Sequence, residues 1–417
     1  MSNKNILKYL PILVLAIVLT GCAAESVVEI IPVTVVPPVH YPHTQPPQPT
    51  PMPSMPPMAT ATPFRDDVQW QQAPEVRAGE VDDNDLWGDY LEYRSGYRGP
   101  YVHEVDISER YVLTTLDGME QPILDATVTV WDGQTKIWEA RTYATGQTLF
   151  FPRAVGFSQS SSFLVSVNKD GFAHTFEMTR GQQESWVVKL DQYSPRGKRI
   201  NLDVLFLIDS TGSMGDEIHA LQSSMLSMAD QIDHLRPRPD LRFGLVTYRD
   251  RGDAYVVAKV DFTDNVRSFS KQLGDLQAAG GGDYPEALNE ALHAAIHEMD
   301  WRAEDTVRLI FLVADAPPHL DYAQDYDYAQ EMAVAAANGI KVFPIAASGT
   351  DDQAEYIFRQ IAQFTQARFI FLTYEGPTQD GKPGDVSTMN VSSYGVQDLD
   401  DLVVRLVQEE LAHQQNR

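Results

Sequence analysis

The chain has 417 residues, 43% hydrophobic and 22% charged, which is enough for two domains plus non-globular segments. It carries 58 acidic against 32 basic residues, a formal net charge of -26. With no long basic run to meet phosphates, nucleic acid is excluded as a partner, and the single cysteine, Cys22, excludes an intrachain disulfide.

The first predicted element is a leader. Lys4 and Lys8 precede an apolar run from Tyr9 to Leu19, which Pro11 interrupts and which falls short of the roughly 18–20 residues needed to span a bilayer. The run closes with Leu19-Thr20-Gly21-Cys22, followed by Ala23. This resembles a bacterial lipoprotein signal peptide over residues 1–21, whose lipobox cysteine is acylated after cleavage. The resemblance implies a mature chain that starts at a lipidated Cys22 and contacts the membrane through a lipid anchor, without spanning it. Ala23 gives no signal for inner-membrane retention, so the expected place is the cell membrane or outer membrane, facing outside the cytoplasm.

Residues 22–63 form the next expected segment, a disordered stalk. Between Pro32 and Pro63 lie 12 of the chain's 26 prolines. Proline at this density removes backbone donors and favours extended polyproline II, a semi-rigid spacer. Residues 64–110, with 86-LWGDYLEYRSGYRGPY-101, are polar and aromatic and show no assignable pattern.

From Tyr111 to about residue 195 short alternating runs predict strands: 126-ATVTVWDG-133, 136-KIWEART-142, 147-QTLFFPR-153, 163-FLVSVNKDG-171 and 185-SWVVKL-190. Their spacing fits a small antiparallel all-β sandwich. The stretch 116-LDGMEQPILDATVTVWDG-133, with Thr142, Gly146 and 170-DGF-172, resembles the carboxypeptidase-regulatory-like and Cna-B-like immunoglobulin folds, which implies an accessory module.

Residues 200–413 read differently. Runs apolar along their whole length (202-LDVLFLI-208, 242-RFGLVTY-248, 307-VRLIFLVA-314, 340-IKVFPIA-346, 368-RFIFL-372) alternate with helical segments. In one of these, Ile218, Leu221, Met225, Met228, Ile232 and Leu235 follow a helical period. Such strands belong to a sheet covered on both faces, so the prediction is an α/β domain with a doubly wound, mostly parallel, Rossmann-like sheet.

Ligands of such sheets bind beyond the carboxyl ends of the strands. Asp209 ends the first strand, Thr211 and Ser213 lie on the turn after it, and Asp315 ends another strand in 312-LVADAPPH-319. Asp283 sits in 280-GGGDYPEA-287, where three glycines allow a tight loop. A set of oxygens without thiol suits Mg²⁺ or Ca²⁺, with Mn²⁺ as a third ion that fits. Helix capping is the competing role for Thr211 and Ser213, and for Asp283 ahead of Pro285. Glu286 and 248-YRDRGD-253 flank the same face, with Arg249 and Asp250 expected to pair or to order the loop.

Residues 201–413 resemble a von Willebrand factor type A domain, and Asp209-Ser210-Thr211-Gly212-Ser213 resembles its metal-ion-dependent adhesion site. The family usually has a threonine where this chain has Asp283; a Gly-Gly-Gly-Asp-x-Pro-Glu loop is familiar among bacterial and kinase-associated members. The resemblance implies a cation-dependent protein-binding module acting in adhesion or complex assembly, with no enzymatic activity. The alternatives are a metal-dependent hydrolase, with His219 or His319 as base, or a structural subunit of a larger envelope complex. The tripeptide 251-RGD-253 also resembles an integrin-binding motif.

Overall fold

Strands that are apolar on both faces are satisfied only inside a covered sheet, and the apolar runs of the C-terminal half lie in one. The computed structural model describes residues 76–414 apart from 158, 195–198, 237, 283, 323–324, 378–382 and 392. It gives backbone alone at 216–217, 219–220, 375–377 and 383–385. The signal peptide, Cys22, the stalk and Asp283 therefore lie outside the described residues, as does the His219 side chain.

The described chain opens with β1 (Arg77–Val81) and α1 (Trp87–Gly96). Seven short strands follow: β2 (Tyr111–Asp117), β3 (Thr127–Asp132), β4 (Thr135–Arg141), β5 (Gln147–Phe150), β6 (Ser162–Lys169), β7 (Phe172–Thr179) and β8 (Ser185–Leu190). They form two sheets, ordered β5-β2-β8 and β4-β3-β6-β7. Val128, Phe150, Phe163, Val165 and Val188 belong to a single core shared by the two sheets. At the β6–β7 hairpin Asp170 and Gly171 have φ of 51° and 84°, the left-handed pair of a type I′ turn. One expectation is corrected. The strands are not all antiparallel, because β2 runs parallel to β8 from Val112↔Ser185 to Asp117↔Leu190. A hairpin cannot join a parallel pair, and here the intervening strands make the connection.

The α/β portion continues with β9 (Asn201–Asp209), a 3-10 turn at Gly212–Met214, α2 (Gly215–Asp233), β10 (Asp240–Tyr248), β11 (Val257–Thr263), α3 (Val266–Gly274) and α4 (Leu288–His297). Then come β12 (Thr306–Ala314), α5 (Tyr328–Ala337), β13 (Ile340–Ala346), α6 (Asp352–Phe364) and β14 (Phe369–Pro377). β15 (Pro383–Val386), β16 (Val396–Asp398) and α7 (Leu399–Ala412) complete the chain order. The sheet order is β11-β10-β9-β12-β13-β14-β1-β16, with β15 beside β14. The run from β10 through β9, β12 and β13 to β14 is parallel. All six residues of the predicted α2 stripe are buried, Leu235 being the most exposed at 9%. Because β10 lies on one side of β9 and β12 on the other, strand order reverses at β9, which opens a crevice at the carboxyl ends there.

Part of the segment left unassigned in the sequence belongs to this sheet. β1 pairs antiparallel with β14 (Arg77↔Thr373 to Val81↔Phe369) and with β16 (Arg77↔Asp398 to Gly79↔Val396). It needs glycine in its middle: a Cβ on Gly79 would lie 2.6 Å from Phe371 Cε2 and 2.9 Å from Tyr394 Cδ2. The small β sheets meet the α/β portion at a buried ion pair. Arg308 donates to Asp125 through Nη1 at 2.7 Å and Nη2 at 3.1 Å, and the Thr306 amide donates to Asp125 Oδ2 at 3.0 Å. Among the described residues no helix is long and apolar enough to cross a membrane.

Candidate functional site

The local sequence dictates where the site's oxygens go. β9 is apolar up to Ile208, so it runs buried to its end and delivers Asp209 at 0% exposure. Parallel pairing of β9 with β12, with Ile208 opposite Val313, brings Asp315 alongside, since it follows β12 directly. The turn after Asp209 folds back on the carboxylate. Asp209 Oδ1 accepts from the Thr211 amide at 2.9 Å and from the Thr211 hydroxyl at 2.7 Å. Thr211 Oγ1 and Ser213 Oγ lie 3.0 Å apart, and the Ser213 hydroxyl acts on the Asp315 carboxyl, opposing the rise that burial causes. Thr211 precedes the 3-10 turn and makes no side-chain cap bond there. The structure thus brings Asp209, Thr211, Ser213 and Asp315 together, and Thr211 does so without capping.

The third carboxylate is Glu286, which the sequence placed only near this face. Gly280 and Gly281 have φ of 82° and 70°, and the Gly280 carbonyl accepts from the Gly212 amide at 3.0 Å, which ties the two loops together. At Gly281 a Cβ would stand 2.8 Å from Glu286 Oε1 and 3.0 Å from the Thr211 Cβ. Only glycine leaves room for Glu286 and Thr211 to close on each other at that left-handed position. The signal that could have marked Glu286 was present in the sequence, a glycine triplet whose curled backbone returns the next few side chains toward the crevice.

The electrostatics are one-sided. Asp209 Oδ2, Asp315 Oδ1 and Glu286 Oε2 are buried and each lacks a hydrogen-bond partner among the described residues. No Lys or Arg among those residues forms an ion pair with any of the three. Burial, then repulsion by Asp315, pushes the Asp209 carboxyl up to about 7. Burial, then Asp209, Asp250 and Asp315, pushes Glu286 up to about 8, and burial also raises Asp315. Buried carboxylates normally find a hydrogen-bonding partner or a cation. Three unsatisfied oxygens on the ends of three loops form a donor set that a hard divalent cation fits.

The neighbours are otherwise occupied. His319 is 3% exposed and sits between carboxylates, with Nδ1 2.8 Å from Asp321 Oδ1 and Nε2 3.4 Å from Asp250 Oδ1. Arg249 donates to the Gln277 carbonyl at 2.9 Å and covers the Tyr255 ring, so it orders the loop. Arg251 is drawn inward to Glu290 at 2.6 Å and Asp325 at 3.0 Å, and lies over Tyr322. The 251-RGD-253 arginine is therefore part of the loop's own packing, a poor match to a displayed recognition tripeptide.

Residues 203–374 match the family model of the von Willebrand factor A domain, and this portion of the chain is such a domain. The alpha-protein kinase vwkA of Dictyostelium discoideum is 29% identical over 119 residues, 28% of this chain and 19% of the kinase. The von Willebrand factor A domain-containing protein 7 of Homo sapiens is 33% identical over 113 residues, 27% of this chain and 12% of that protein. In both the match stops well short of the relative's whole length. Among solved structures, the pilus adhesin SpaC of Lactobacillus rhamnosus GG in its open conformation shares 14% identity with a TM-score of 0.33, covering 49% of this chain and 29% of that chain.

Proposed function

We propose that the chain is a divalent-cation-dependent protein-binding module of the cell envelope, with Asp209, Thr211, Ser213, Asp315 and Glu286 as its contact site. The observation that carries this reading is the trio of buried carboxylate oxygens without partners at the switch point of the sheet. A bound Mg²⁺, Ca²⁺ or Mn²⁺ would neutralise these groups and offer a coordination position to an oxygen of a partner protein. Von Willebrand factor A domains commonly mediate protein–protein interaction, which agrees with that use. Three carboxylates exceed the charge of one divalent ion, so the favoured partner donor is a neutral oxygen, a backbone carbonyl or an Asn or Gln side chain. Asp283, proposed from the sequence as a further ligand, stands in the same glycine loop.

Ser213→Ala tests the reading, because it removes a half-open hydroxyl and leaves the fold's core untouched. Envelope proteins retained by the immobilised chain in Mg²⁺ or Ca²⁺ are expected to elute with EDTA and to be lost from the variant. Equal retention with EDTA, or by the variant, defeats the proposal. Turnover of ester, phosphate or peptide substrates in Mg²⁺ or Mn²⁺ would instead favour a hydrolase.

Anchoring through Cys22 belongs to the same proposal and rests on the Leu19-Thr20-Gly21-Cys22 pattern. Cys22→Ser is expected to leave uncleaved precursor or to shift the protein out of the detergent phase. Identical partitioning of variant and parent would refute the anchor.

A further inference from the structure

A second constellation of metal-ligating side chains stands apart from the crevice and shares no residue with it. His293 and His297 lie four residues apart in the last turns of α4, so both present to one side of the helix. α5 packs beside them and contributes Glu331 from its first turn. His293 Nδ1 is 2.9 Å from Glu331 Oε1, and His297 Nε2 is 2.9 Å from Glu331 Oε2. Candidate ligand atoms of the three residues all lie within 4.8 Å of one another.

The three side chains differ in exposure in a way that makes a site. The Glu331 side chain is 7% exposed, whereas those of His293 and His297 are 23% and 37% exposed. A buried carboxylate therefore forms the floor and two imidazoles the open rim. Tyr326 stacks flat on His293, with ring centroids 3.6 Å apart and planes within 5°. The imidazoles themselves stack at 4.4 Å. Around Tyr326, Arg251 pairs with Glu290 and Asp325, and Lys259 pairs with Glu298, so Glu331 is the carboxylate that faces the two imidazoles. One imidazole would suffice to satisfy Glu331 as a link between helices. Here two converge on it, one through Nδ1 and the other through Nε2.

We propose that His293, His297 and Glu331 form a Zn²⁺ site. Two imidazole nitrogens and one carboxylate are borderline donors that suit zinc and other late transition metals, in contrast with the oxygen set at Asp209 that suits Mg²⁺ or Ca²⁺. Three protein ligands leave a fourth tetrahedral position for water or an exogenous ligand. Bonds of about 2.0–2.2 Å at tetrahedral angles place ligand atoms roughly 3.3 Å apart, a few tenths of an ångström wider than the hydrogen-bonded spacing. The imidazole nitrogens, within 4.8 Å of each other, would come to the same spacing by side-chain rotation. The bound ion would clamp α4 to α5.

The test uses the full chain stripped with EDTA and dialysed into excess Mg²⁺, which competes for any oxygen-only site. Calorimetric titration with Zn²⁺ alone is expected to show one ion per chain, and Co²⁺ in its place is expected to give the visible absorption of a tetrahedral complex. Glu331→Gln and, as the variant least able to disturb folding, the rim substitution His297→Ala should each weaken Zn²⁺ binding by more than ~100-fold. Loss of an outer-shell partner alone costs about 10–100-fold, so loss of a ligand should exceed that. No Zn²⁺ uptake by the parent, or uptake that survives His297→Ala unchanged, would overturn the site.

Discussion

Asp209→Ala is expected to abolish the stabilisation that Mg²⁺ or Ca²⁺ gives the folded chain while leaving the chain folded. A ligand at a hundred times its dissociation constant stabilises by about 2.7 kcal/mol, a clear rise in melting temperature. The variant's melting should not respond. It should also be sturdier than the parent in EDTA at neutral pH, because Asp209 and Glu286 carry folded-state values of about 7 and about 8. In an unfolded chain both ionise near pH 4. Between roughly pH 4 and 8 the cation-free native state therefore holds more protons than the unfolded state, so stability falls as pH rises through that window. Below it the penalty is absent, and supplying the cation at neutral pH should remove it. Melting curves across pH 4–8, with EDTA and with Mg²⁺, check all of this. A variant whose cation response equals the parent's would remove Asp209 from the site.

The second large effect lies far from the crevice, at Asp125→Asn. Asp125 has φ of 58°, a left-handed conformation that asparagine tolerates, so the substitution changes charge with little backbone strain. Its carboxylate holds the Arg308 guanidinium, and the two side chains are 1% and 3% exposed. Removing one partner leaves the other charge buried and uncompensated, a loss of about 3–5 kcal/mol. Asp125 also accepts from the Thr306 amide, so the same group fixes the start of β12. The double variant Asp125→Asn/Arg308→Leu should lose less than Asp125→Asn alone, because no orphan charge remains. Urea unfolding measures both, and a single variant within about 1 kcal/mol of the parent would show that Arg308 finds another counter-charge.

The central strands were legible in the sequence for a physical reason. β9, β10, β12, β13 and β14 are covered on both faces, so selection for burial acts on nearly every position and writes a continuous apolar run. The α2 stripe was legible for the corresponding helical reason. β11 was not, because VAKVDFT at the sheet's edge is largely solvated and keeps little apolar signal. β1 was missed because five residues with a central glycine carry no periodicity, and its partners β14 and β16 lie about 300 residues away. At the site, Asp209, Thr211, Ser213 and Asp315 follow from strand ends alone. Glu286 depends on left-handed turns at Gly280 and Gly281, and the path of a glycine loop is not written in its residue types. The pairing of His293 and His297 with Glu331 needed the packing of α4 on α5, a contact across 34 residues or more of chain.

The position of β1 has a mechanical consequence. Tension entering the chain from residues before 76 reaches β1 before any other element of the sheet. It would be resisted by a ladder from Arg77 to Val81 on β14 and a shorter one from Arg77 to Gly79 on β16. Both partner strands come from the C-terminal part of the chain, so β1 joins the two ends of the described sequence. Pulling β1 out would separate β14 from β16 and unseat α7, whose first amide, at Leu399, donates to the Val76 carbonyl. Under such a load the same few hydrogen bonds would hold both β1 and the closing strand and helix of the sheet.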